Sequence, residues 1–173
     1  MEFFETVARR GSYRGPFTDR PVPEEDVRKM LTAAIQAPSG YNLQTTSFLV
    51  VTDPVLRQQL ADLMPTPATK TAPLFFVVVS EKVVYSNGLS FEVEDYAAAT
   101  ENLMLAITAL GYAGVWMDGM TNKLNGNAEK LKAMLQLPEG KTVRTIIPVG
   151  VPAEEVKQRE KKDLDERVVF LRG

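Results

Sequence analysis

The sequence predicts an α+β fold in a single domain, and three observations carry that expectation. Segments with helical apolar spacing alternate with short apolar runs of strand composition. The longest helical segment is apolar almost all round. No linker, internal repeat or low-complexity stretch divides the 173 residues, so residues 1–173 are expected to form one domain with a sizeable core.

The elements follow in chain order. Glu2 to Arg9 reads as a first short helix, with Phe3, Phe4, Val7 and Ala8 on one face. Gly11 and Gly15-Pro16 break its periodicity. A second helix opens at Pro21–Asp26, where acidic residues suit the positive end of the helix dipole, and Pro38 ends it. Ser47–Thr52 reads as a strand. Asp53 caps the next helix and Pro54 takes its first position. Leu74–Val79 is apolar on both faces and is expected to be a central strand.

The stretch from Glu81 to Phe91 is irregular, with Asn87-Gly88 as a turn signal. Val93 to Gly111 is the longest helix. Its outer faces lack charge after Glu101, so it should be buried on more than one side, in the middle of an oligomer. Gly114–Met117 reads as a short strand, Asn125–Leu137 as a helix and Thr145–Val151 as a strand. The tail is charged from Glu154 to Arg167 and then turns apolar through Val168, Val169, Phe170 and Leu171. Such an ending suits an edge strand over Arg167–Leu171 that pairs with a second subunit.

Composition removes many function classes. There is no Cys and no His, which excludes disulfides, a thiolate nucleophile, a Ser–His pair, and haem or zinc sites built on imidazole or thiolate. No carboxylate spacing such as an EF-hand loop is present, so no metal is expected. An enzyme with this composition borrows its reactivity from an organic cofactor or relies on carboxylates and Lys. Net charge is −2, which argues against nucleic-acid or membrane partners and makes any anion site local. Met1–Glu5 is acidic where a secretory signal would be basic, and the uncharged run 102–117 is shorter than the ~20 residues a membrane span needs. The default expectation is a cytoplasmic protein.

Two segments carry the chemistry. Arg10-Gly11-Ser12-Tyr13-Arg14 puts two guanidinium groups and a hydroxyl just past the first helix. Arg is a fixed cation whose planar donor fork fits phosphate oxygens. Ala37-Pro38-Ser39-Gly40-Tyr41-Asn42-Leu43-Gln44 is a turn with a hydroxyl and two amide side chains, which donate and accept as a heterocycle edge requires. Together they suit a phosphorylated ring cofactor. Taken alone, Arg residues after a helix are as often solvated or cap the helix dipole.

These two segments resemble the FMN-dependent nitroreductase family, whose first helix ends in Arg-x-Ser-x-Arg/Lys and whose second ends in Pro-Ser-x-x-Asn-x-Gln. Three further segments resemble it in the same order: Leu110–Gly119, Ile147–Pro152 and the basic pair in Arg159-Glu160-Lys161. The resemblance implies a three-layer fold, a central mixed sheet flanked by helices, in an intertwined homodimer. It implies FMN as cofactor and NAD(P)H as electron donor, with a nitroaromatic or quinone as acceptor. Arg10, Ser12, Arg159 and Lys161 would hold the phosphate. Arg14 would stabilise the flavin edge electrostatically. Pro38, Ser39, Gly40, Asn42 and Gln44 would line the ring from the other subunit, and Asp118 and Gly119 would present backbone amides to it. The tail, residues 154–173, would dock on the partner subunit.

The chain departs from the pattern at Thr45-Thr46, where the family often has Pro-Trp, and at Gly15-Pro16, where a residue is inserted. Residues 81–91 are short, which reduces the substrate lid. Trp116 reads as a core aromatic or a pocket wall, and Tyr85 and Phe91 as stacking partners or core cover. Asp95 and Glu101 read as helix-face charges. The basic cluster from Lys157 to Lys162 alternates with acids, as a solvated tail would. Other readings are a flavin-binding carrier or sensor without turnover, a relative using flavin for another redox reaction such as dehalogenation or flavin fragmentation, and a structural dimer.

Overall fold

Residues Leu74–Glu81 (β2) and Lys141–Gly150 (β4) are the middle of a four-stranded sheet: β2 is apolar on two faces and buried up to Ser80, and β4 is buried at Val143 and from Thr145 to Gly150. The computed structural model describes residues 1–123 and 126–172. Thr46–Val51 (β1) and Ala113–Gly114 (β3) form the edges, giving the order β1-β2-β4-β3 with every ladder antiparallel. A parallel contribution comes from an isolated bridge between Ser12 and Gly114. β4 carries a bulge: Thr145 faces Val78 and Val143 faces Val79, which leaves Arg144 as the extra residue.

Helices cover both faces, so the architecture is three-layered and α+β. On one side, Pro54–Leu63 (α3), Pro67–Thr71 (α4) and Asn127–Met134 (α6) pack Leu60, Met64, Ala68 and Leu131 against Phe75, Val77 and Ile146. On the other, Glu24–Ile35 (α2) and Glu92–Ala109 (α5) pack Val27, Met30, Leu103 and Ile107 against Phe76, Val78 and Ile147. Each face of β2 therefore feeds a different core, as the two-faced apolar run requires.

Local signals place the ends. The Asp53 carboxylate accepts from Leu56 N at 2.9 Å and Pro54 opens α3. α2 starts at Glu24, after both prolines, with three acids in its first turn. The strand expected over Gly114–Met117 is only Ala113–Gly114, because the chain then leaves the sheet edge; Met117 N still donates to Ile146 O. α6 starts at Asn127; the expected start at Asn125 lies outside the described residues.

Three regions keep apolar surface exposed in the single chain. Phe3–Arg9 (α1) leaves Phe3, Phe4 and Val7 exposed, Phe4 by 76%. The edge strand over Arg167–Leu171 is expected against a second subunit; in the single chain Leu164–Arg167 (α7) is one helical turn, and Val168 to Leu171 are exposed, Leu171 by 94%. Among the described residues no strand pairs with this segment, and the Asp163–Glu166 capping pair sets the turn locally. Nor is α5 buried all round. Asn102, Leu105, Ala106 and Ala109 line an open groove with Phe3 and Ala33. No helix among the described residues is long and apolar enough to cross a membrane.

Candidate cofactor site

The segment after α1 is strapped to the β3 edge of the sheet. Tyr13 N donates to Gly114 O at 3.0 Å beside the Ser12–Gly114 bridge. Tyr13 is buried; its hydroxyl donates to Pro16 O at 2.6 Å and accepts from Glu154 N at 3.2 Å. The inserted Gly15-Pro16 makes this possible, since a Cβ on Gly15 would sit 2.8 Å from the Tyr13 hydroxyl. The tail crosses the same place: a Cβ on Gly11 would meet Lys157 O at 3.3 Å and Val156 Cγ1 at 3.4 Å. Arg10, Ser12 and the start of the tail are thus neighbours.

Arg10 is not free. Its Nε lies 3.2 Å from Glu101 Oε1 on α5, so Glu101 is the counter-charge to Arg10 rather than a bystander on a helix face. Arg14 is exposed and donates from NH1 to Ser12 O at 3.3 Å. It lines a cavity of about 190 Å³ with Thr66, Val115, Trp116, Met117, Gly119 and Met120. The cavity is a guanidinium beside apolar walls and a glycine backbone. Space beside Gly119 is open, for a Cβ there would meet nothing within 4 Å. Trp116 is half-buried, lines this cavity and sets its ring edge against Tyr96 at 6.4 Å, so the pocket-wall reading is the one the geometry favours.

Behind the cavity stands a polar cluster that the sequence reading missed. Arg144, thrust out by the bulge, donates from Nε to Ser80 Oγ at 2.6 Å and pairs with Glu92 at 3.6 Å. Its guanidinium stacks over the Tyr96 ring, 5.5 Å from the centroid. Ser90 donates to Glu92, and that hydrogen bond, with the Arg144 charge adding to it, holds the Glu92 carboxyl below its usual range. Burial, aided by the Asp118 charge, pushes the Tyr96 hydroxyl up from its usual value. Asn122 donates to both Asp118 and Arg144 O, tying the wide helical turn Gly119–Lys123 to β4. The strand read from the sequence began at Thr145, whereas β4 begins at Lys141, so Arg144 fell just outside the expected element.

The second segment lies elsewhere. Pro38 follows α2, and Gly40–Asn42 is a single 3-10 turn. Ser39, Gln44 and Pro38 line a cavity of about 210 Å³ with Thr46, Phe48 and Asp95. Gln44 N donates to Ser39 Oγ at 3.0 Å. Tyr41 stacks on Tyr85 at 3.9 Å and meets Phe91 edge-on at 5.8 Å, so both loop aromatics cover the turn. Gly40 is required where it is, because a Cβ would come within 2.5 Å of the Phe91 ring. Asp95 is buried beneath this turn and is not a helix-face charge.

Within one copy the two segments do not form one pocket. No described residue lines both cavities. The second segment feeds β1, the first is strapped to β3, and these are opposite edges of the sheet, three strand spacings or roughly 14 Å apart. Arg159 and Lys161 are exposed, and no ion pair to either occurs among the described residues.

Comparison with known proteins then decides the family. The nitroreductase family profile matches residues 7–82 and 63–151. The chain belongs to the nitroreductase family. A protein of Methanothermobacter thermautotrophicus named "Putative NADH dehydrogenase/NAD(P)H nitroreductase" is 30% identical over 166 residues, spanning 95% of this chain and 85% of its own. A crystal structure of a protein of the same name from Parabacteroides distasonis has a TM-score of 0.84 at 27% identity, over 97% of this chain and 96% of its own. The NADPH:FMN oxidoreductase of Vibrio harveyi, complexed with NAD+, has a TM-score of 0.83, over 99% of this chain and 77% of its own. Its 23% identity speaks for the fold alone. The three-layer α+β arrangement is therefore the nitroreductase fold.

Proposed function

We propose that this protein is a flavin-dependent NAD(P)H oxidoreductase that binds FMN in a site shared by two copies of the chain. Electrons would pass to a small-molecule acceptor such as a nitroaromatic or a quinone. The observation that carries the reading is the Arg14 guanidinium in the Trp116–Met117–Gly119 slot of a nitroreductase-family chain. The donor set fits the group: an apolar slot suits a planar ring, and one fixed cation suits an edge that gains negative charge.

Bound FMN supplies a ring that takes a hydride from a reduced nicotinamide and yields it to an acceptor. The chain's own residues do the rest. Arg14 would place a positive charge at the ring edge, where negative charge develops on reduction. Asp118 and Gly119 offer backbone N–H groups beside it. Arg10, Ser12, Arg159 and Lys161 give the phosphate three cations and a hydroxyl, with Glu101 sharing Arg10. The second copy brings Pro38, Ser39, Gly40, Asn42 and Gln44 to the other side. The separation of the two segments within one copy supports a shared site, as does the exposed apolar surface of α1, α5 and the tail. The tail 154–173 is read as the docking segment: Glu154 to Lys157 first cross this chain's own Tyr13 and Gly11, and the rest would reach the partner; Gly173 lies outside the described residues. No side-chain acid is needed, which suits a chain without His. A monophosphate is favoured over a dinucleotide because no Gly-x-Gly-x-x-Gly loop occurs.

The test is a flavin titration followed by steady-state oxidation of NADH and NADPH with menadione or a nitroaromatic. Quenching of FMN fluorescence at micromolar concentration and acceptor-dependent turnover are expected. No quenching would end the reading; quenching without turnover would make the protein a carrier or sensor.

A further inference from the structure

The turn over Ser39–Gln44 is held in a conformation its residues disfavour. Tyr41, Asn42 and Gln44 have φ of 51°, 57° and 51°. All three lie in the left-handed region, which L side chains other than Asn and Asp rarely enter. Three such residues within four positions persist only where the surroundings over-determine them. Tyr85 and Phe91 cover the turn, and one buried side chain joins its two ends. Asp95, in the first turn of α5, is 4% exposed. Its Oδ1 accepts from Gly40 N and its Oδ2 accepts from the Thr45 hydroxyl, each at 2.7 Å. The carboxylate thus ties both ends of the turn at once. No ion pair to Asp95 occurs among the described residues, so these two donors and the N-terminal end of α5 are what offset its burial. A buried carboxylate without a cation is costly to keep unless its hydrogen bonds matter.

We propose that Asp95 is a positioning residue for the cofactor turn. By gripping Gly40 and Thr45 it holds Tyr41, Asn42 and Gln44 left-handed, and so fixes where Ser39 and Asn42 point. This rests on the function proposed above, because a pre-set turn lowers the ordering cost of ligand binding only if the turn meets the ligand. Asp95 also lines the cavity beside Ser39 and Gln44, so its loss would loosen the wall as well as the turn.

The test compares Asp95→Ala, Asp95→Asn, Thr45→Val and Thr45→Ser by amide hydrogen exchange without flavin and by FMN titration. In Asp95→Ala, amides from Gly40 to Gln44 should exchange about tenfold faster or more, as loss of a charge-assisted hydrogen bond predicts. Amides of β2 and β4 should stay near wild type. FMN affinity should fall by a similar factor. Thr45→Val, which keeps the carboxylate and the fold, should show the same pattern more weakly, and Asp95→Asn should be intermediate. Thr45→Ser should behave as wild type. The proposal is overturned if turn exchange is unaltered, if β2 and β4 loosen equally, or if the turn loosens while FMN affinity holds. It is also overturned if Thr45→Ser matches Thr45→Val. Failure of wild-type protein to bind FMN would refute the function itself, and is visible before any variant is made; the exchange arm reads the grip of Asp95 regardless.

Discussion

Replacing Arg144 by Met removes the centre of the cluster behind the Trp116 cavity. Three contacts go: the 2.6 Å hydrogen bond to Ser80, the 3.6 Å pairing with Glu92 and the stack on Tyr96. Met fills much of the side-chain volume, so the loss is chiefly electrostatic. Removing one member of a buried pair costs about 3–5 kcal/mol, because the other charge is stranded. Here the side chains of Arg144 and Glu92 keep 23% and 12% of their exposure, so some water reaches both. Glu92 also retains the hydroxyl of Ser90. These discounts bring the expectation to roughly 2–4 kcal/mol. For a chain of this size that lowers the midpoint of thermal unfolding by roughly 10 °C. The assay is urea unfolding at pH 7 and fixed protein concentration, since association adds concentration-dependent stability. Arg144→Met with Glu92→Gln should lose less than Arg144→Met alone, because no charge is then stranded. A single-variant loss below about 1 kcal/mol, the range of a surface pair, would refute the reasoning. So would a double variant that loses the sum of its parts.

Three further outcomes are expected. The Glu92 carboxyl titrates below its usual value in the folded state, so its contribution is full above the ordinary glutamate range near ~4.3 and is lost as pH falls through the lower folded value. Unfolding free energy measured from pH 6 to 3 should therefore fall less steeply in Glu92→Gln. Arg14→Gln should keep FMN partly bound yet slow flavin reduction about a hundredfold, equivalent to ~3 kcal/mol of stabilisation lost, and stopped-flow reduction at the wild-type rate would contradict this. Cutting the chain after Gln158 spares the Glu154–Tyr13 bond and the cover of Val156 over Gly11, but removes Arg159, Lys161 and Val168–Leu171. That truncation should weaken both FMN binding and dimerisation; light scattering and titration matching the full chain would strike the tail from the site.

Signals that act locally were legible in the sequence. Asp53-Pro54 caps α3 wherever the helix packs, and the two-faced run Leu74–Val79 has no other home than mid-sheet. The arginines and serine of the first segment and the turn after Pro38 were legible as candidate binding groups. Their placement at opposite edges of one copy was not, because strand order is a tertiary fact. Asp95 was misread because acids in a first helical turn are already explained by the helix dipole; only the docked turn exposes its second role. Thr45, a departure from the family pattern, proves to be the partner of that carboxylate. Arg144 was missed because the bulge that redirects it has no glycine to announce it. The apolar end of the tail is exposed in the single chain, and what would cover it belongs to the proposed dimer.

The separation of the two segments has a consequence at the level of inheritance. With Arg14 beside one sheet edge and Asn42 leading into the other, a pocket shared as proposed would draw one from each parent chain. Damage to either residue then spoils both pockets of a symmetric pair, yet the two lesions complement one another. A cell making both damaged chains would assemble mixed pairs in which one pocket collects both lesions and the other collects neither. Roughly one pocket in four would be whole. Two defective alleles would thus restore between them what neither encodes alone.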